Sequence, residues 1–165
     1  MAYYCSEPRL GIQDFAETST TQRHPLGTIV RAKDSTYGEG EFIYLLGVGS
    51  TAVGSVVTYD PSTYQTTLCA VGGNIPRPVA IAMSENIATQ YGWYQISGIA
   101  VVKKTCTISL LAGAAVGVLT TGLIAATGTG KEIQGAVVAA VASAAAGRTT
   151  IQIMLARPHK QGRIT

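Results

Sequence analysis

Charge is what this chain has least of. Only 13% of its 165 residues are Asp, Glu, Lys or Arg, against about 25% for an ordinary soluble domain. A monomer of this size wets its surface with charge, so the deficit points to a surface covered by other protein. The 47% hydrophobic share excludes an intrinsically disordered chain. Cysteine is scarce as well: Cys5, Cys69 and Cys106 are odd in number and far apart, which fits neither a disulfide framework nor the close pairs of a zinc site. Free thiols suit folding in a reducing cytoplasm. The twelve basic residues stand singly or as the pair Lys103-Lys104, without the aromatic-interleaved stripe that nucleic-acid binding favours, so no direct nucleic-acid partner is expected.

Targeting and membrane signals are missing too. The first residues, MAYYCSEPRLG, have neither the basic leader nor the apolar core of a signal peptide. Residues 105–130 carry no charge and are long enough to cross a bilayer, with Gly113 and Gly117 forming a GxxxG. Yet five glycines and six threonines in that stretch disfavour an isolated helix and suit short strands joined by turns. No membrane span is expected.

The residues of catalysis are equally sparse. His24 lies in a polar N-terminal region and His159 in the closing PHKQGRIT, and both read as solvated side chains. Glu39 and Glu41 share a face if a strand begins early, which would make a carboxylate pair, but Gly38 and Gly40 beside them favour a solvated turn. Residues 128–132, GTGKE, have the outline of a phosphate-binding loop. Ala125 stands at the first glycine position and Glu132 where Ser or Thr must reach magnesium, so the stretch reads as a turn. Neither Gly-x-Ser-x-Gly nor His-Glu-x-x-His occurs. We expect no enzyme, no cofactor and no metal.

What the chain has in abundance is glycine-bounded apolar runs. Residues 1–28 are polar, carry Pro8 and Pro25, and place Leu10, Ile12 and Phe15 without sustained period, as in an extended N-terminal arm. From residue 29 to 157 the pattern predicts a single β domain, with strands at 28–32, 41–47, 55–59, 65–70, 79–84, 93–103, 107–111, 116–120, 133–141 and 149–156. The alternation of Ile151, Ile153 and Leu155 is that of a half-buried strand, and Gly98 within 93–103 marks a bulge or close approach. Residues 132–147 are alanine-rich enough for a helix ending at Gly147, with strand the preferred reading. A short C-terminal tail, 158–165, follows.

A degenerate repeat underlies that preference. The Ala-Val-Gly of residues 52–54 recurs at 115–117, and the Gln-Ile of 95–96 at 152–153, which suggests two related β-units, about 45–104 and 107–156, completing one core. The only tryptophan, Trp93, stands with Tyr91 and Tyr94, while Tyr3 and Tyr4 open the arm. Such rings either anchor an interface or cap the core. The candidate contact residues are Tyr3, Tyr4, Arg9, Phe15, Tyr91, Trp93 and Tyr94.

Two stretches, GEGEFIYLLGVGSTAVGSVVTYD at 38–60 and VAIAMSENIATQYGWYQISGIAVVKK at 79–104, resemble small structural proteins of tailed-phage virions. The second unit, with Ala-Val-Gly-Val and Ala-Ala-Gly-Arg-Thr-Thr-Ile-Gln-Ile, is similar to small β-barrel head-decoration or cement proteins. The likeness implies an all-β fold, a small β-barrel or jelly-roll-like sandwich with an extended arm. It also implies a homotrimer, assembled in the host cytoplasm, that sits on the outside of the expanded head and bridges major capsid protein subunits. A tail or baseplate adaptor would share the pattern, and a carbohydrate-binding module would use Trp93 and Tyr94 as a stacking platform.

Overall fold

The computed structural model describes residues 13–71, 76–105, 109–139 and 149–162, together with the backbone of Tyr4–Cys5. Its strands are β1 (Tyr4–Cys5), β2 (Ile29–Asp34), β3 (Gly38–Leu46), β4 (Val56–Tyr59), β5 (Thr66–Leu68), β6 (Val79–Ala82), β7 (Tyr91–Lys103), β8 (Ala115–Thr120), β9 (Leu123–Ala126), β10 (Glu132–Val138) and β11 (Thr150–Lys160). No helix occurs among the described residues. The all-β class therefore stands, and within the stretch 105–130 that was long enough for a membrane helix, residues 115–126 form the β8–β9 hairpin. The possible helix at 132–147 is strand over Glu132–Val138, and residues 140–148 lie outside the described residues.

Every strand pairing is antiparallel, in the order β1-β2-β3-β7-β11-β10-β8-β9, with β4 joining β5 to β6 and β6 joining β7. The sheet curls into a half-barrel. A parallel bridge from Lys104 to Ile124 brings β9 back to the end of β7. β7 is the axis of this arrangement. Tyr94 and Gln95 pair with β3 on one edge and β6 on the other, while Ser97 pairs with Glu41 and Ala156, so β6 and β11 share the edge opposite β3. Gly98 sits where the partner changes. Its φ is +90°, and a Cβ there would lie 2.3 Å from the Glu39 carbonyl oxygen, so the close approach expected from sequence needs glycine for both conformation and space.

Among the described residues three apolar clusters fill the fold. The largest joins Val56, Val79 and Ile81 to the inner residues of β7 to β11, among them Val102, Val116, Ile124, Ile151, Ile153 and Leu155. A second packs Ile43, Leu45, Tyr94 and Ile96 on Val57, Ala80 and Ala82. Both faces of β4 and β6 are thus buried, which is why Val79–Ala82 reads as an unbroken apolar run instead of alternating. The third cluster lies on the other side of β3 and β7 and is mainly aromatic: Phe15, Phe42, Tyr44, Met83 and Trp93.

Of the expected arm, Tyr4–Cys5 pair with β2 as β1, and residues 13–28 lie on the chain's own sheet. Ser19 and Tyr91 exchange backbone hydrogen bonds of 3.0 and 2.8 Å, and the Gly27 N–H donates to the Tyr44 carbonyl at 2.9 Å. Phe15 is 4% exposed, with its ring centroid 4.3 Å from that of Phe42 and 5.7 Å from that of Trp93.

Elsewhere the strands depart from expectation in local ways. β9 was not anticipated, because Leu-Ile-Ala-Ala is too short to show a period. The strand expected at 107–111 is not one over 109–111, and 106–108 lie outside the described residues. β11 runs on to Lys160, past the point where a tail was expected. It tolerates Pro158 because the ladder with β10 is bulged there: Arg157 adopts φ +45° opposite Gly135 at φ +76°. The two Ala-Val-Gly motifs also differ, since Val53-Gly54 forms a turn whereas 115–117 is the body of β8.

Cys69 is fully buried and free, and burial pushes its thiol up to about 11 against the opposing charge of Lys160. That lysine, itself buried, donates from Nζ to the Ala70 carbonyl at 2.7 Å.

Trp93 is 0% exposed and touches Phe15, His24 and Tyr44. Trp93→Ala is expected to cost about 3 to 5 kcal/mol of folding stability, measured by urea unfolding, because it empties the centre of the aromatic cluster. A loss below about 1 kcal/mol would show that residues 13–28 do not pack on this ring.

Candidate functional site

A charged triad on the surface is built by three strands. β2 and β3 pair Arg31 directly with Glu41, and the β11 bulge swings Arg157 across to the same carboxylate. Arg31 Nε lies 3.4 Å from Glu41 Oε1, and Arg157 Nε donates to Glu41 Oε2 at 2.9 Å. The Glu41 side chain is 15% exposed while the arginines are 67% and 65% exposed, so one sheltered carboxylate anchors two reaching guanidiniums. The bond from Arg157, above all, holds the Glu41 carboxyl below its usual value, opposed only by partial burial. A carboxylate so held favours its ionised form and anchors both guanidiniums.

Two hollows flank the triad. A polar cleft of about 270 Å³ is lined by Arg31, Glu39, Gly40, Glu41 and Ser97. On the other side is an apolar slot of about 190 Å³ whose floor is the buried Val79 and Ile96 and whose walls are Ile29, Tyr59, Pro78 and Pro158. Arg157 and His159, both exposed, stand on its open side. Burial raises the Tyr59 phenol, the neighbouring Tyr64 adds to the rise, and Arg157 offsets part of it. Next to the slot, Arg77 lies 3.7 Å from Asp60.

A second feature of the surface is apolar. Ala115, Val137, Met154 and Ile99 are direct cross-strand partners in β8, β10, β11 and β7, and so form one row on the outer face. Val137 and Met154 are 40% and 44% exposed. Beside the row, Gln152 Nε2 lies 3.5 Å from the Tyr37 hydroxyl, on the tip of the β2–β3 hairpin.

The chain matches no protein-family model and no curated protein. What it does has to be inferred from its own residues.

Of the seven contact residues expected from sequence, three, Phe15, Trp93 and Tyr94, are buried. Trp93 and Tyr94 are consecutive in β7 and face opposite ways, and each face is covered: residues 13–28 lie over Trp93, and β4–β6 over Tyr94. Neither offers a stacking platform for a sugar. Tyr94 is held by Asn86, whose Nδ2 donates to its hydroxyl, and burial pushes the phenol up to about 12. Phe15 is buried likewise, and Tyr91 is half-buried, its ring stacked 6.2 Å from that of Tyr44. The side chains of Tyr3 and Tyr4, and Arg9, lie outside the described residues.

Glu39 and Glu41 occupy β3 and not a solvated turn, because the hairpin tightens before Gly38. Residues 128–131 do form a turn, closed by Lys131 N–H donating to the Gly128 carbonyl at 2.9 Å. His159 lies exposed in β11, and Pro78 bridges to it. His24 is not a solvated side chain. Its ring stands edge-on to Tyr44 at 5.1 Å and 5.4 Å from Trp93, and desolvation first, then the charge of Arg23, lowers its pKa. Among the described residues no three His, Cys, Asp or Glu side chains gather as a metal site would need. Arg31, Arg157 and Ile29 were missed from sequence, where only the Arg-Pro break in the alternation of β11 hinted at the bulge.

Two acid-sensitive windows follow. His24 has a folded pKa below its ordinary 6.5, so its contribution is complete above that value and is lost as the pH falls below it. Glu41, also lowered, from 4.5, contributes above that value and loses its contribution as the pH falls further. Urea midpoints measured against pH should therefore decline in two steps, and His24→Phe should remove the upper one. An unchanged upper step in that variant would place the titration elsewhere.

Proposed function

We propose that this chain is a virion structural protein of the head-decoration or cement kind. It binds the outside of an expanded tailed-phage capsid as a homo-oligomer, a trimer by the resemblance, and bridges major capsid protein subunits. The observation that carries this reading is the uncharged row of Ala115, Val137, Met154 and Ile99 on the outer face of a chain with only 13% charged residues. Apolar surface of this kind costs free energy while it stays in water and is covered by assembly. The all-β half-barrel is consistent with the small β-barrel or sandwich that the resemblance implies. The role is mechanical, without turnover.

Stabilisation then works by mass action. Binding only the expanded shell adds RT ln(1 + [L]/Kd) per site, about 2.7 kcal/mol at a hundredfold excess over Kd, repeated over many sites. Small energies per site are enough.

Light scattering of the purified chain should give a multiple of 17.1 kDa, and Met154→Glu should shift it toward the single-chain mass. Expanded heads should resist heat and osmotic shock better with the protein than without it. Equal resistance removes the cement reading, and binding to tails instead of empty heads would make the chain an adaptor.

A further inference from the structure

Residues 13–28 cover the aromatic cluster without forming a strand, so their hold on the sheet is a short set of separate contacts. Phe15 lies against Phe42 and Trp93, and Ser19 is bridged to Tyr91. The Arg23 N–H donates to the Tyr44 hydroxyl at 3.3 Å, and the His24 ring stands against Tyr44 and Trp93. One of these contacts, that of His24, can be changed by a single proton.

A proton on His24 finds no acceptor where the ring now lies. Its Nε2 is buried without a hydrogen-bond partner, and so is Nε1 of the neighbouring Trp93, which is itself a donor. The groups that face the imidazole are Tyr44 of β3, with Tyr91 of β7 stacked on it, Trp93 of β7, and Arg23 of its own segment. None of them is a carboxylate, and Glu17 reaches Arg23 instead, at 4.0 Å. An imidazolium in that place is a desolvated cation beside a guanidinium, whereas the same ring lifted into water is hydrated. Acid therefore favours the detached segment.

Detachment can be local. The two clusters that hold β3 to β11 together, around Ile153 and around Tyr94, contain no residue of 13–28, so lifting that segment uncovers the third cluster and leaves the other two closed. The segment also ends at a natural pivot. Gly27 has φ +80°, its N–H is bonded to the Tyr44 carbonyl, and the Tyr64 ring occupies the place of a Cβ there.

We propose that residues 13–26 are an acid-released strap: protonation of His24 lifts them from Phe42, Tyr44 and Trp93 about a hinge at Gly27, while the sheet and the β4–β6 layer stay folded. The proposal is independent of the capsid reading.

Trp93 is the only tryptophan, so its emission reports the strap directly. Between about pH 7.5 and about pH 5 the emission of the full-length chain should move reversibly to longer wavelength as the ring meets water. Over the same range the Ser19 and Tyr91 amides should lose about tenfold or more of their exchange protection, while those of Ile151 and Ile153 keep theirs. His24→Phe should hold both readouts at their neutral-pH values, and His159→Gln should leave the transition unchanged. Phe15→Ala, which removes the strap's apolar anchor, should give the long-wavelength emission already at neutral pH with Ile151 and Ile153 still protected. Emission that is quenched without shifting would mean that the proton is taken up with the strap in place, and would overturn the proposal. So would loss of protection at Ile151 together with Ser19, or a transition that survives His24→Phe.

Discussion

The fold depends on β7 being covered on both edges and both faces. At 13 residues it is long enough to serve β3 over its first half and β11 over its second, and the change of partner is made possible by the absence of a side chain at Gly98. A methyl group there would meet the Glu39 carbonyl at 2.3 Å and hold an unfavourable φ as well. Closing the half-barrel and assembling the Arg31–Glu41–Arg157 triad both require β3 and β11 to lie against that one strand, so a backbone constraint at a single glycine underlies the core and the surface site alike.

The same strand explains where the aromatic side chains went. Consecutive residues of a strand face opposite ways, so Trp93 and Tyr94 can both be buried only if the chain supplies a cover on each side. It does so with two pieces of quite different kind. On the Tyr94 side the cover is regular, the β4–β6 strands. On the Trp93 side it is irregular, residues 13–28 pinned by Phe15, by the edge-on contact of His24 with Tyr44 and by the Ser19–Tyr91 bridge. An irregular cover fastened partly by a desolvated imidazole is the more open to acid.

How much of this was legible in the sequence follows from the range of the interactions. Local signals worked: the alternation of Ile151, Ile153 and Leu155 marked β11, the apolar run at 79–84 marked a strand, and Gly98 marked a bulge or close approach. Signals that depend on a distant partner did not. Phe15 has no periodic neighbours, so nothing local tells an extended arm from a cover laid over Phe42 and Trp93. Arg157 belongs to a site only because Gly135, in another strand, permits the bulge that turns it toward Glu41. Sequence patterning reports which residues share a face, and it is silent on what lies across from that face.

The few charges of the chain are also unevenly placed, and the placement separates two kinds of surface. Arg31, Glu39, Glu41, Asp60, Arg77 and Arg157 gather around β2, β3 and the β11 bulge, whereas the row from Ala115 to Ile99 holds no charged residue. Apolar contact supplies affinity without direction, and charged groups in a fixed geometry supply register. The two kinds of surface differ in tolerance: an uncharged face accepts small adjustments of packing, while a guanidinium held at one φ and one distance from Glu41 does not. The positive φ of Arg157 belongs to the charged side of that division, since the bulge it makes with Gly135 carries its side chain out of the ladder and across to Glu41.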